Sequence, residues 1–180
     1  MTGAALPLLF LDVDGPLIPF GAPPPGGYRT YPGPSAGNPL ADRVDPGLGP
    51  RLSRLPGELV WATSWLTDAN DVLAPRLGLP RLPYVAWPAV DEPGEDTGEG
   101  AEGVDAAPQL HWKTRTLVTR AAGRPFVWVD DEITRADQRW VAAHSPAPAV
   151  LYRVDPRIGL TEADFALLDS HLRAIRTGHP

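Results

Sequence analysis

The strongest constraint on this chain lies close to its start. Residues 8–13 read Leu-Leu-Phe-Leu-Asp-Val, an apolar run that leads into Asp12 and Asp14, one residue apart, and then into Gly15 and Pro16. A continuous apolar stretch bounded by turn residues reads as a strand buried on both faces, the kind found inside parallel sheets. Open sheets of this kind bind ligands outside the carboxyl ends of their strands. Gly15-Pro16 breaks the strand, so Asp12 is expected at its tip and Asp14 on the turn, both facing one pocket. Two carboxylates so close repel, so one is protonated or a cation sits between them. Oxygen ligands suit magnesium, which binds through one or two carboxylates plus a substrate phosphate. The plainer alternative is a strand-end turn in which Asp-Gly is ordinary turn chemistry. The rest of the chain decides between them.

With 180 residues the chain is sized for one domain, 1–180, with a real core. Its formal charge of −6 argues against a general nucleic-acid coat protein, since non-specific binding rests on Lys and Arg neutralising phosphates. A local basic rim remains open, with Arg29, Arg43, Arg51 and Arg54 as its candidates. Cysteine is absent, which removes disulfides, zinc-thiolate sites and thiol nucleophiles. The first residues lack a basic leader, and no apolar run approaches about 18 residues. The expectation is therefore a soluble, cytoplasmic protein with no membrane partner, and no obligate protein partner is evident.

The 23 prolines and 18 glycines cluster in loops and mark long connections. Residues 16–57 form a Pro/Gly-rich, cap-like insertion that cannot be one helix, with a short helix expected around 51–55. Strands are expected at 58–63, 84–87, 125–129 and 149–152. Helical periodicity covers 66–77, with Gly78 as a stop signal, and a further helix covers about 112–122. Residues 91–107, rich in Glu, Asp and Gly, read as an exposed acidic loop. Thr161 and Asp164 resemble a capping box, with Asp in place of the usual Glu or Gln, opening a last helix to about 176. Strands alternating with helices imply a parallel sheet covered on both faces, an α/β fold.

Four features fall at the ends of successive elements: Asp12 and Asp14, then Thr63 and Ser64, then Lys113, then Asp130 and Asp131. In this order and context the chain resembles the haloacid dehalogenase (HAD) superfamily, in its aspartate-nucleophile phosphatase branch. Asp12-Val13-Asp14-Gly15 matches the first motif, Thr63 the second, Lys113 the third, and Asp130-Asp131 the acidic fourth. The combination of these residues with Trp61, Trp65, Asn70, Trp112 and Trp128 is also similar to the HAD domains associated with Swiss-army-knife RNA repair proteins. The resemblance implies a Rossmann-like three-layer α/β/α sandwich, with a mostly parallel sheet of about five strands and a minimal or loop-like cap. One departure stands out: the family motif continues Gly-Thr-Leu, where this chain has Gly15-Pro16-Leu17, so a hydroxyl and a backbone donor are missing.

The resemblance also implies roles. Asp12 attacks phosphorus and becomes an aspartyl-phosphate, dividing one hard step into two. Asp14 protonates the leaving oxygen and later deprotonates water, and its backbone carbonyl joins Asp12 on Mg2+. Asp130 or Asp131 completes the metal site. Thr63, Ser64, Gly15 and Lys113 bind phosphate, and Lys113 also pairs with Asp12. Electrostatics makes the cations necessary: an anion attacking an anionic phosphate depends on positive charge around the transferring group. The implied substrate is a phosphorylated small molecule, a nucleotide or a nucleic-acid end. Two alternatives use the same residues, a silent phosphate-binding module and a phosphotransferase. Each residue also has a duller role: Thr63 or Ser64 as a helix cap, Lys113 as a solvated lysine, His111 as a structural histidine, Asn70 as a loop anchor. Trp61 and Trp128 read as core, and Trp65, Trp87 and Trp112 as candidates for the pocket mouth.

Overall fold

A computed structural model of the chain describes residues 5–33, 38–88 and 110–177. Its centre is a parallel sheet in the order β2-β1-β3-β4, with β1 Leu8–Leu11, β2 Glu58–Trp61, β3 Phe126–Asp130 and β4 Ala149–Arg153. The apolar run at the start is β1, and it lies between β2 and β3, Phe10 pairing with Val60 on one side and Trp128 on the other. Side chains alternate across a strand, so β1 feeds two cores. Leu9 and Leu11 join Val127 and Val129 against one set of helices; Leu8 and Phe10 join Phe126 and Trp128 against another. Phe10 and Phe126 meet edge to face, 5.5 Å between ring centroids. Burying such rings contributes about 1.5–3 kcal/mol each, which explains why this sheet carries no polar residue on β1.

The helices complete three layers. On the Leu9 face lie α1 (Leu48–Leu52), α2 (Ala74–Leu77) and α5 (Glu162–Thr177); on the Phe10 face lie α3 (Thr114–Ala121) and α4 (Arg135–His144). The α/β/α reading of the sequence holds, with four strands instead of five. The expected strand at 84–87 is reduced to a single parallel bridge between Tyr84 and Trp61. Trp61 donates its N–H to Pro83 O at 2.9 Å, and Val85 donates to Trp61 O at 2.8 Å. Pro83 and Pro88 lack donors, so the ladder cannot extend past this pair.

Three further differences have local causes. The expected helix at 66–77 forms as a π-helical turn, Ala69–Leu73, followed by α2 and ended by Gly78 at φ +64. Pro75 has no N–H to offer the preceding turn, and Ala74 donates five residues back to Ala69 O. The short helix expected around 51–55 sits earlier, as α1. Helix α4 was not anticipated, although Thr134 and Asp137 form a full capping box at its start. The box at Thr161 and Asp164 is present as expected, Thr161 N–H donating to Asp164 Oδ2 at 2.7 Å. The acidic segment 91–107 lies outside the described residues.

Part of the Pro/Gly-rich stretch is gathered around one buried side chain. The Arg76 guanidinium, from α2, donates to Val44 O at 3.4 Å and to Tyr31 O, and lies 3.7 Å from the Asp42 carboxylate. A charged fork inside the fold is stable only when its donors are met in this way.

Candidate active site

Parallel pairing brings the strand ends of β1 and β3 side by side. Asp12 extends the ladder by one residue, donating its N–H to Val129 O at 3.0 Å. Asp130 is the last residue of β3. Between their carboxylates sits the Lys113 ammonium, 3.0 Å from Asp12 Oδ1 and 2.8 Å from Asp130 Oδ2. All three side chains are buried, Asp130 completely. Lys113 immediately precedes α3, so a cation stands at a helix N-terminus, where the dipole disfavours it. The two carboxylates offset that cost.

One ammonium does not balance the acids present. Asp131 is also buried, and carboxylate oxygens of Asp12, Asp130 and Asp131 converge to within 4.8 Å of one another. Burial drives the Asp12 pKa from 3.8 up to about 7, against the pull of Lys113 and with the help of Asp130. Burial, then Asp130, lifts Asp131 to about 6. Burial also works against the Lys113 charge, but Asp12 and Asp130 outweigh it and raise its pKa. Three acids around one lysine, two of them reluctant to ionise, describe a pocket short of positive charge. An all-oxygen donor set of this kind fits magnesium.

Gly15 makes the convergence possible. It adopts φ +85, and a Cβ there would lie 2.6 Å from Asp131 Oδ1. Only glycine meets both demands.

Asp14 stands apart from the three acids. It is half-buried on the turn, and its Oδ2 accepts the indole N–H of Trp65 at 3.0 Å, while Oδ1 accepts no hydrogen bond among the described residues. Thr63, buried just beyond β2, accepts the Trp65 backbone N–H on Oγ1 at 3.3 Å, which leaves its hydroxyl proton free to donate elsewhere. Its carbonyl accepts the Trp87 indole N–H at 2.9 Å. Ser64 is exposed and makes no side-chain hydrogen bond among the described residues.

Several neighbours hold these groups in place. The Trp128 indole donates to Asp130 Oδ2 at 3.2 Å, and Glu132 N–H donates to Asp130 Oδ1 at 2.9 Å. His111 accepts Lys113 N–H on Nδ1 at 3.2 Å, so Nε2 carries the proton facing Glu132 at 3.1 Å. Its role here is to shape the turn into α3. Asn70 anchors the edge segment, accepting Trp61 Nε1 and Leu82 N–H and donating to Leu82 O.

One further buried carboxylate, Asp137, supports the site from behind. Its carboxylate accepts from His111 N at 2.8 Å, Thr114 Oγ1 at 2.6 Å, and Thr134 N at 2.9 Å, tying the start of α3 to the start of α4. Burial raises its pKa, but these hydrogen bonds outweigh burial and hold it below the ordinary range. The Thr134-x-x-Asp137 spacing is its signal in the sequence.

The four arginines fall into two pairs. Arg29 and Arg43 lie over the rings of Tyr31 and Tyr28, whereas Arg51 pairs with Glu162 at 2.9 Å on a groove it shares with Arg54.

With this geometry in place, the comparison with known families is decisive. A family model described as "HAD domain in Swiss Army Knife RNA repair proteins" matches residues 8–165. The chain belongs to this family. No curated protein and no solved structure matches it at a significant level. The HAD domain thus spans every strand and the whole acidic centre. Among the described residues, no helix is long and apolar enough to cross a membrane.

Proposed function

We propose that this HAD domain is a magnesium-dependent phosphohydrolase that cleaves phosphate monoesters through an aspartyl-phosphate, with a nucleic-acid end as substrate. The observation that carries this reading is the buried Lys113 pinned between Asp12 and Asp130, with Asp131 converging on the same point. The family's association with RNA repair supports the choice of substrate.

Asp12 Oδ attacks phosphorus, forming an O–P bond as the bond to the leaving oxygen breaks. Asp14 donates a proton from Oδ1 to that oxygen, its other oxygen being held by Trp65. Water then attacks the phosphoryl group, Asp14 takes its proton, and phosphate leaves as Asp12 is regenerated. The Thr63 hydroxyl donates to a phosphoryl oxygen, and Lys113 moves some of its charge from the acids to the phosphate. Asp12, Asp130 and Asp131 would hold magnesium, which supplies the positive charge that phosphoryl transfer demands. Hydrolysis of such esters needs accelerations of up to about 10²¹-fold, far beyond the 10²–10⁴ or so of general acid–base help. Charge placed in advance has to supply most of the remainder.

The test is release of p-nitrophenol from p-nitrophenyl phosphate, with and without magnesium, beside Asp12→Asn. Magnesium-dependent turnover that falls by about 10⁴-fold or more in the variant is expected. Magnesium binding without turnover of any phosphoester would point to a binding module. A product ratio that follows added alcohol would point to a phosphotransferase. Turnover undiminished in the variant would refute the assignment.

A further inference from the structure

A cavity of about 240 Å³ opens on the same edge of the sheet, walled by Tyr28, Arg29, Tyr31, Arg43, Arg157 and, towards the acidic centre, Pro16. Its walls are loops that follow β1 and β4, and the carboxyl edge of a parallel sheet is where ligands bind. Pro16 is two residues from Asp14, so their Cα atoms are at most about 7.6 Å apart. Gly159, also on the wall, packs against this turn: a Cβ there would lie 3.1 Å from Pro16 O.

The chemistry of the wall is specific. The Arg43 guanidinium lies 4.7 Å from the Tyr28 ring centroid and donates to Pro19 O at 3.1 Å. Arg29 lies 5.1 Å from the Tyr31 centroid, and Arg29 and Arg43 have no ion-pair partner among the described residues. Arg157 is held by Asp155 at 2.8 Å. Asp45 is the only wall carboxylate among the described residues, and it accepts Gly47 N–H at 2.8 Å. Even with Asp45 and Asp155 counted, positive charge is in excess. The Tyr28 hydroxyl is buried with no hydrogen-bond partner among the described residues, an exception to the rule that buried polar groups are paired. Stacked guanidiniums, pre-ordered by aromatic faces, suit planar two-point recognition of phosphate. A phenol and ring edges beside them suit the sugar or base attached to it.

We infer that this cavity is a second subsite of the active site, binding the phosphodiester and nucleoside next to the terminal phosphate that Asp12 attacks. The inference rests on the phosphohydrolase reading and deepens it, by assigning where the protein grips the phosphodiester and nucleoside next to the terminal phosphate. A phosphomonoester with no second phosphate would leave Arg29, Arg43 and Arg157 without an anion to bind. A polynucleotide carries its next phosphodiester there, against Arg29, Arg43 and Arg157.

The test is equilibrium binding by calorimetry to the Asp12→Asn protein with magnesium, which removes turnover from the readout. The probes are dinucleotides phosphorylated at either end, the matching mononucleotides, and a dinucleotide with an uncharged methylphosphonate linkage. For at least one polarity, the dinucleotide should bind at least about tenfold more tightly than the mononucleotide. Adding Arg29→Ala and Arg157→Ala, both exposed residues whose loss leaves the core intact, should erase that advantage, and so should the uncharged linkage. Equal affinity for both lengths, or an equal loss for both ligands in the arginine variant, would overturn the inference. Hydrolysis of p-nitrophenyl phosphate by the unmutated protein is measured separately. Hydrolysis without a length preference refutes the subsite alone; a length preference without hydrolysis of any ester refutes the phosphohydrolase alone.

Discussion

The acidic centre and the arginine–tyrosine cavity share one edge of the sheet but are held there by different means. Asp12 and Asp130 are fixed by the ladder itself: Asp12 N–H donates to Val129 O at 3.0 Å, and Val154 N–H donates to Asp130 O at 3.1 Å. The cavity wall has no such ladder. It is held by Arg76, which gathers Tyr31, Asp42 and Val44, by the bond from Arg43 to Pro19, and by single backbone bonds between loops, such as Tyr31 N–H to Asp42 O at 2.7 Å and Leu160 N–H to Pro16 O at 2.9 Å. Rigid strands place the reacting groups, and a loop pinned at a few points faces what varies among substrates. Damage to the two regions should therefore separate chemistry from recognition.

The largest effect is expected at Lys113. In Lys113→Met, Asp12 and Asp130 face each other without their shared cation, a loss of about 3–5 kcal/mol in the metal-free protein. Turnover of p-nitrophenyl phosphate should fall by about 10²–10³-fold even with saturating magnesium. A variant of ordinary activity would detach Lys113 from the chemistry.

Gly15→Ala tests the metal side through its effect on magnesium affinity. Its Cβ would collide with Asp131 and its φ would be strained, so magnesium affinity should drop about 10–100-fold, a range typical of disturbed ligand supports. Calorimetric titration reads it, and unchanged affinity would exclude Asp131 from the metal site.

Arg76→Ala should act in the opposite region. Loss of its buried contacts should cost about 1.5–3 kcal/mol in urea unfolding, and it should weaken dinucleotide binding more than it slows p-nitrophenyl phosphate turnover. An equal effect on both would break the separation drawn above.

The smallest effect is one of pH. Without metal, Asp12 titrates near 7 and Asp131 near 6, both raised from 3.8. As pH rises from about 4, the unfolded chain loses these protons first, so the folded form binds more of them. Stability from this pair is fully present below about pH 4 and is lost as pH climbs through 6 and 7. Urea midpoints should fall across that window, less so in Asp12→Asn, and magnesium should restore them at neutral pH. A midpoint that rises across the window would contradict the buried-acid account.

What the sequence made legible follows the same division. The acids after the run at 8–11, the lysine that opens α3 and the acids ending β3 are legible because each sits at the end of a periodic element with a single plausible direction. The expected fifth strand is cut to one bridge because its apolar residues are flanked by prolines whose missing donors become decisive only beside β2. Arg76, Asp137 and the Tyr28–Arg43 pair were hidden for another reason. The partners of Arg76 lie 32 to 45 residues away along the chain. Asp137 shows only its local bond to Thr134 and not its reach to Thr114, 23 residues away, and the Tyr28–Arg43 pair is a ring contact that no spacing encodes. That Arg29 and Arg43 line one cavity while Arg51 and Arg54 line another is likewise visible only in the structure.

The most direct test of the central claim is to find the phosphoryl group on Asp12. Acid quenching during turnover of p-nitrophenyl phosphate with magnesium, followed by peptide mass spectrometry, should show one phosphoryl group on the peptide containing Asp12, at Asp12 itself and absent from Asp12→Asn. Steady turnover with Asp12 unmodified, or with the label on another residue, would contradict the account.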